Sequence, residues 1–234
     1  MPACPFLSIV IPIFNEEFNI ELLIDSIERN LTEHSYELIF VDDFSSDASC
    51  EIIKLNANPH TSLIALEDHK GQSSALAFGI KRARGHYIVT MDGDLQNDPS
   101  DIPKMLEIIQ NEGLDMVIGF RQNRQDPFLK TMPSKIANFI IRKTTQLKIR
   151  DSGCALKVMT SKTAKELPLH GEQHRFMALN AHFNGAKIKE VPVIHHPRIY
   201  GTSKYGLERT FRVLKDLYHI LIHYKTLHSK RLST

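Results

Sequence analysis

Two short acidic clusters carry the residue types in this chain that could do chemistry. Asp92-Gly93-Asp94 is followed by Gln96, and Asp42-Asp43 precedes a polar turn. Paired carboxylates with a neutral amide oxygen nearby suit Mg2+ or Mn2+. Such hard ions take one or two carboxylates and fill their shell with water and phosphate oxygens. Asp94 with Gln96 is the expected ligand pair, with Asp92 supporting it. Gly93 frees the backbone to bend and to approach a ligand closely. If extended geometry continued past Met91, Asp92 and Asp94 would point the same way. Asp43 can accept N–H bonds from a nucleobase, while Arg121, Arg198 and Lys204 offer cations to phosphate oxygens. Such a set suits breaking a sugar–diphosphate bond, or handling nucleotide phosphates more generally. Read alone, Met91–Gln96 is equally compatible with a solvated turn before a helix cap.

The elements that must position these groups follow from hydrophobic patterning. Phe6–Ile13, Tyr36–Val41, Ser62–Leu66, Tyr87–Met91 and Met116–Phe120 are short apolar runs of the kind buried in parallel sheets. Pro12 is expected to force the first of them out of its ladder. Helical stretches are expected at Ile20–Leu31, Ala48–Ala57, from Gly71 through Ala83, and at Asp101–Asn111. Strands alternating with helices predict an α/β fold with a doubly wound, mostly parallel, Rossmann-like sheet. In such sheets ligands bind beyond the carboxyl ends of the strands, where both acidic clusters fall. Further along, the pattern predicts a helix over Ser134–Gln146, a strand over Ala155–Met159, a helix over Glu172–Asn184 and a strand over Lys187–Val193. The last element, Leu207–Tyr224, is an amphipathic helix, so 1–206 reads as the catalytic domain and 207–234 as a helical extension.

Composition excludes several classes. The 234 residues carry a net charge of +2, but from Arg198 onward eight bases face two acids. A basic end on an acidic body fits an anionic surface or substrate there; the amphipathic helix reads either as packed on the core or as lying on a membrane surface, and peripheral membrane contact, not nucleic-acid binding, is the expected partner reading. The three cysteines are distant and form no CxxC, so neither a disulfide framework nor a zinc cluster is expected, and a cytoplasmic setting fits. No signal peptide and no membrane-spanning run is expected. Walker A, GxGxxG and GxSxG patterns are missing.

Seven segments in order resemble one family. They are VIPIFNEE (10–17), VDDFSSD (41–47), HKGQSSALAFGIKRARG (69–85), MDGDLQNDP (91–99), GFRQNRQD (119–126), DSGCALK (151–157) and PRIYGTSKYG (197–206). The chain resembles the family 2, GT-A-type glycosyltransferases of the polyprenyl-phosphate branch, which includes dolichyl-phosphate mannosyltransferase and bacterial undecaprenyl-phosphate glycosyltransferases. The resemblance implies an inverting transfer from a nucleotide-sugar to a polyprenyl phosphate at the cytoplasmic face of a membrane. A UDP-sugar is the favoured donor, with GDP-mannose as the other candidate. A soluble or protein acceptor, or a non-catalytic nucleotide-binding subunit, is the alternative. It further implies that Pro12, Phe14, Glu16, Val41 and Asp43 line the nucleoside pocket and that Asp92, Gly93 and Asp94 form a DxD element, with Asp94 and Gln96 on the metal. Arg121 would contact the diphosphate or sugar, Arg198 and Lys204 the donor or acceptor phosphate, and Asp151 would sit near the reacting centre. Since a phosphate acceptor is already ionised, Asp151 is expected to be either a base or a positioning group. A membrane-anchor subunit or a second copy of the chain is a further partner consistent with the family. Two departures stand out: Phe14 replaces a tyrosine and Phe44 replaces the glycine of the usual DDGS turn, so that turn must either avoid a left-handed residue or accept strain.

Overall fold

The structure, a computed structural model, describes residues 4–122, 138–145, 147–200, 213 and 215–222. Seven strands form one sheet: β1 (Leu7–Ile13), β2 (Tyr36–Asp42), β3 (Thr61–Ala65), β4 (Tyr87–Thr90), β5 (Met116–Arg121), β6 (Lys157–Thr160) and β7 (Ile188–Val193). Their order is β3-β2-β1-β4-β6-β5-β7. The first four strands are mutually parallel, and β7 is parallel to β5. β6 runs antiparallel to both of its neighbours, β4 and β5.

Continuous apolar runs become strands buried on both faces. Leu7, Ile9, Val10 and Ile11 of β1 are fully inaccessible, as are Leu38, Phe40 and Val41 of β2. The helices α1 (Ile20–Asn30), α2 (Ser49–Leu55), α3 (Gln72–Arg82) and α4 (Asp101–Asn111) alternate with the early strands. α3 lies so close to the sheet that a Cβ on Gly79 would stand 2.3 Å from a Val10 methyl. Residues 138–145 and 215–222 are helical, within the expected Ser134–Gln146 and Leu207–Tyr224 segments, whose other residues lie outside the described ones.

Several expectations are corrected. Pro12 does not end β1, which stays in register with β2 through Ile13↔Asp42. Pairing with β4 stops at Val10↔Thr90. The reason is directional. The Phe6 and Val10 carbonyls accept from Tyr87 and Met91 on the β4 side, while the Ile13 carbonyl accepts from Asp43 on the β2 side. Even-numbered residues face β4, so the missing Pro12 N–H subtracts from that ladder alone. The predicted 172–184 helix is broken into a 3₁₀ turn (Gln173–Phe176) and α6 (Met177–Phe183), because Phe176 leaves helical geometry at φ −110°. A short helix, α5 (Ser161–Lys165), was not anticipated; its Thr163 N–H is capped by the Thr160 hydroxyl.

β2 lies on one side of β1 and β4 on the other, so the chain switches direction at the carboxyl ends of β1 and β4. Because β6 is reversed, its amino end, with Lys157 opposite Thr90, arrives at that same edge.

Candidate active site

The loops leaving β1 and β2 lock together. Asn15 N–H donates to Ser45 Oγ at 2.9 Å, and Ser46 N–H returns a bond to Asn15 Oδ1 at 2.8 Å. Glu16 and Glu17 donate their N–H groups to Ser49 Oγ and Asp47 Oδ2. Phe44 sits at φ +69°, so the turn takes the left-handed conformation that glycine would adopt without strain. Asp43 is almost fully buried, and its carboxylate accepts the Lys70 and Gly71 N–H groups at 2.7 and 2.8 Å. His69 Nδ1 lies 3.0 Å from the same carboxylate, and the His69 ring packs on Phe14 at 4.5 Å between centroids. Asp43 thus holds the 69–71 loop against the end of β2. Pro12 pairs with Val41, whose side chain is fully inaccessible beneath this corner.

The DGD segment is a turn rather than an extended strand. β4 ends at Thr90, and Leu95 takes φ +61°. The two carboxylates therefore reach the edge through a turn, not through strand alternation. A Cβ on Gly93 would come within 2.4 Å of Ile13 Cδ1, so the backbone here presses against the end of β1. Asp92 Oδ1 accepts from Gln72 Nε2 at 2.7 Å, and its N–H reaches Asn97 Oδ1 at 3.3 Å. Asp94 is buried; Oδ1 accepts the Gln96 N–H at 3.1 Å and Oδ2 is ion-paired with Arg198. Arg198 also lies 3.6 Å from Glu16, so it bridges the β1 and β4 ends.

Electrostatics mark Asp94 as a site short of positive charge. Burial, and then the Asp92 carboxylate, push its pKa up to about 6 in spite of Arg198. Asp92 is also raised by burial, against the opposing fields of Lys157, Arg121, Arg175 and Arg198. Two neighbouring carboxylates that resist joint ionisation fit a divalent cation. Gln96 Nε2 donates to the His196 carbonyl at 3.4 Å, which leaves Oε1 as an acceptor of the required kind. Among the described residues no three His, Cys, Asp or Glu side chains converge as a metal cluster. The fit is thus to an ion completed by water and phosphate.

Arg121 and Asp151 form a bidentate pair, Nε to Oδ2 at 2.6 Å and Nη2 to Oδ1 at 2.8 Å. Asp151 is thereby committed to a guanidinium, an arrangement that fits positioning better than proton transfer. Its backbone is fixed in turn by Glu190 Oε1, which accepts the Arg150 and Asp151 N–H groups. His196 is tied to Asp98 at 2.8 Å. Lys204 lies outside the described residues, as do residues 123–126 of the RQNRQD loop.

Three residues at this edge were not singled out from sequence. Lys157 is only 2% exposed and donates Nζ to the Cys154 carbonyl. Burial pushes its pKa down. His174 is fastened to α3, with Nδ1 2.8 Å from Ser73 Oγ and its N–H donating to that oxygen at 3.0 Å. Arg175 follows it, 3.7 Å from Glu172. Gln72, Thr90, Asp92, Gly153, Lys157 and Arg175 line a cavity of about 30 Å³. Lys157 had a local signal, since it interrupts the apolar run Ala155–Met159. His174 had none, because its anchor is 101 residues away.

Comparison with known proteins identifies the family and the fold. Residues 8–167 match the model of a family described as Glycosyl transferase family 2. The chain is 40% identical over 227 residues to dodecaprenyl-phosphate galacturonate synthase of Rhizobium johnstonii, covering 92% of this chain and 66% of that protein. It is 36% identical over 217 residues to undecaprenyl-phosphate 4-deoxy-4-formamido-L-arabinose transferase of Edwardsiella ictaluri, covering 91% and 66%. It therefore spans just under two thirds of the length of these curated relatives. Glucosyl-3-phosphoglycerate synthase from Mycobacterium tuberculosis, solved with Mn2+, UDP and glucosyl-3-phosphoglycerate, superposes with a TM-score of 0.74 at 17% identity, covering 94% of this chain and 80% of that one. That likeness shows the fold, which is GT-A.

Proposed function

The chain belongs to glycosyl transferase family 2, and from that premise we propose that it transfers a sugar, with inversion, from a UDP-sugar to a polyprenyl phosphate. The observation that carries the reading is Asp94: a buried carboxylate beside a second one, at the switch point of the sheet, already paired with a guanidinium. Asp94 and Gln96 would hold Mg2+ or Mn2+, which when bound neutralises charge on the departing diphosphate. Arg198 is placed to exchange Asp94 for a phosphate oxygen, and Arg121, locked by Asp151, keeps a fixed cation beside the sugar.

The acceptor phosphate attacks the anomeric carbon from the face opposite the diphosphate, and the breaking C–O bond returns its electrons to the β-phosphate. A phosphate monoester with a second pKa of roughly 6 is largely ionised near neutral pH, so no strong base is needed. This agrees with an Asp151 committed to Arg121.

A lipid acceptor is supported by the surface around Arg198. Phe18, Ile199 and Tyr200 are exposed, and the Phe18 and Tyr200 rings lie 5.8 Å apart. An apolar rim at the mouth of a charged site suits a phosphate on a hydrocarbon tail. No helix among the described residues is long and apolar enough to cross a membrane, so such a rim, with the basic C-terminal stretch, would make contact from the side. The two named relatives use different sugars by their names, so they leave the sugar open.

Transfer assays with the full chain test this reading, using UDP-sugars and GDP-mannose with a short polyprenyl phosphate or a soluble phosphate monoester. Metal-dependent transfer from a UDP-sugar to the lipid is expected. Transfer to the soluble acceptor alone overturns the lipid assignment, and transfer from GDP-mannose alone overturns the donor.

A further inference from the structure

The cavity behind Asp92 has a charge pattern that the transfer reaction does not require. Lys157 lies at the start of β6, and its ammonium has three donors, of which one is spent on the Cys154 carbonyl. No carboxylate lies within ion-pair distance of it among the described residues. An ammonium taken out of water without a close anion is costly, and such groups persist where something offsets that cost. Among the described residues Asp92 is the only acidic one lining the cavity, and its carboxylate is held toward Gln72.

Two further cations converge on the same space. A Cβ on Gly153 would stand 3.8 Å from Arg121 Nη2, 3.8 Å from Asp151 Oδ1 and 3.9 Å from Arg175 Nη1, so both guanidinium groups flank one backbone position, Arg121 together with its paired carboxylate. Lys157 and Arg175 line the cavity itself, and Asp92 feels the fields of all three cations. The Ser73–His174 bonds pin the segment that carries Arg175, so it is presented from a fixed backbone.

We infer that this cavity is a carboxylate subsite and that the donor sugar is a uronic acid. The inference rests on the UDP-sugar reading above. A hexose hydroxymethyl in this place would leave Lys157 and Arg175 facing a neutral group. A C6 carboxylate accepts charge-assisted hydrogen bonds from both. The cavity of about 30 Å³ admits about two water-sized groups, the scale of a carboxylate. The acceptor phosphate is also an anion, but its hydrocarbon tail must leave over Phe18 and Tyr200, on the Arg198 side. The cavity instead has Leu76 and Ala155 as its apolar lining.

Calorimetric titration of the full chain with Mg2+ and UDP, UDP-glucose, UDP-glucuronate or UDP-galacturonate tests this directly. At least one uronate should bind about tenfold more tightly than UDP-glucose. Lys157→Met and Arg175→Gln should each remove most of that preference while leaving UDP affinity unchanged. Lys157→Met is an apolar replacement of similar length and should fold; Arg175→Gln provides an independent variant if it does not. Equal binding of uronates and glucose, or a preference that survives both substitutions, overturns the inference and leaves the UDP-sugar reading standing. Failure of UDP and every UDP-sugar to bind overturns both. A farnesyl phosphate arm addresses the acceptor: if Lys157→Met weakens its binding and spares the uronate preference, the cavity belongs to the acceptor and the inference falls.

Discussion

The two ends of the sheet treat buried carboxylates in opposite ways. At the amino end, Glu37 accepts from Ser8 Oγ at 2.6 Å, from the Arg84 N–H at 2.7 Å and from two Arg84 guanidinium nitrogens at 2.9 and 2.8 Å. Burial alone would raise its pKa, but these bonds outweigh that and hold it low. At the carboxyl end, Asp94 has one guanidinium and one amide, with a second carboxylate beside it, and its pKa stands at about 6. Glu37 is finished by the protein; Asp94 is left for something else to finish. The difference separates a fastening from a site even though both are buried acids at strand ends.

The largest test of that contrast is Asp94→Asn. Turnover should fall on the order of 10²–10³-fold, as when one electrostatic stabiliser of a developing charge is removed. Urea unfolding at pH 7 without metal should show no loss of stability. Unchanged turnover would sink the metal assignment. Glu37→Ala should do the reverse: stability falls by about 2 kcal/mol, since Ser8 and the Arg84 N–H lose their acceptor, while kcat of the folded protein stays within about twofold.

The pH profiles should differ in sign. Asp94 is raised, so the folded chain holds a proton that the unfolded chain releases between about pH 4 and 6, and its ionisation lowers metal-free stability as pH rises through that window. Glu37 is lowered, so its contribution is present above its unfolded pKa of about 4.3 and is lost as pH falls through the folded value. Unfolding midpoints across pH 3–7 should lose the first slope in Asp94→Asn and the second in Glu37→Gln. The smallest effect is expected at Phe44, whose φ of +69° is left-handed. Phe44→Gly should raise stability by about 1 kcal/mol; a decrease would mean that the exposed ring has a packing role at the site.

How much of this was legible in the sequence depended on the range of the determinant. β1, β2, β4 and β5 are apolar runs whose polar ends announce where they stop, so Asp43 and Asp94 could be placed at one edge in advance. The direction of β6 could not, because Lys157–Thr160 carries no mark of whether its partners run with it or against it. The clash between Phe44 and its turn was visible, since a bulky residue stood where a left-handed one was needed, though not which way it would resolve. The Asp43 contacts with the 69–71 loop and the Ser73–His174 anchor depend on pairings between distant segments, which no local pattern encodes. Arg198 was expected on phosphate; its pairing with Asp94 emerges only once both are in place.

The reversed strand also sets an order on synthesis. Four parallel strands are complete once Thr90 has been made, yet β4 keeps one side unpaired until Thr160 follows. During that interval the emerging polypeptide exposes Tyr87–Thr90 as an open edge, a template for wrong partners that the finished protein hides. The strand that closes this edge is the one that brings Lys157 beside Asp92. That strand thus covers the open edge and adds the Lys157 wall of the cavity in one step, and the Arg175 wall follows only with the next segment of the chain.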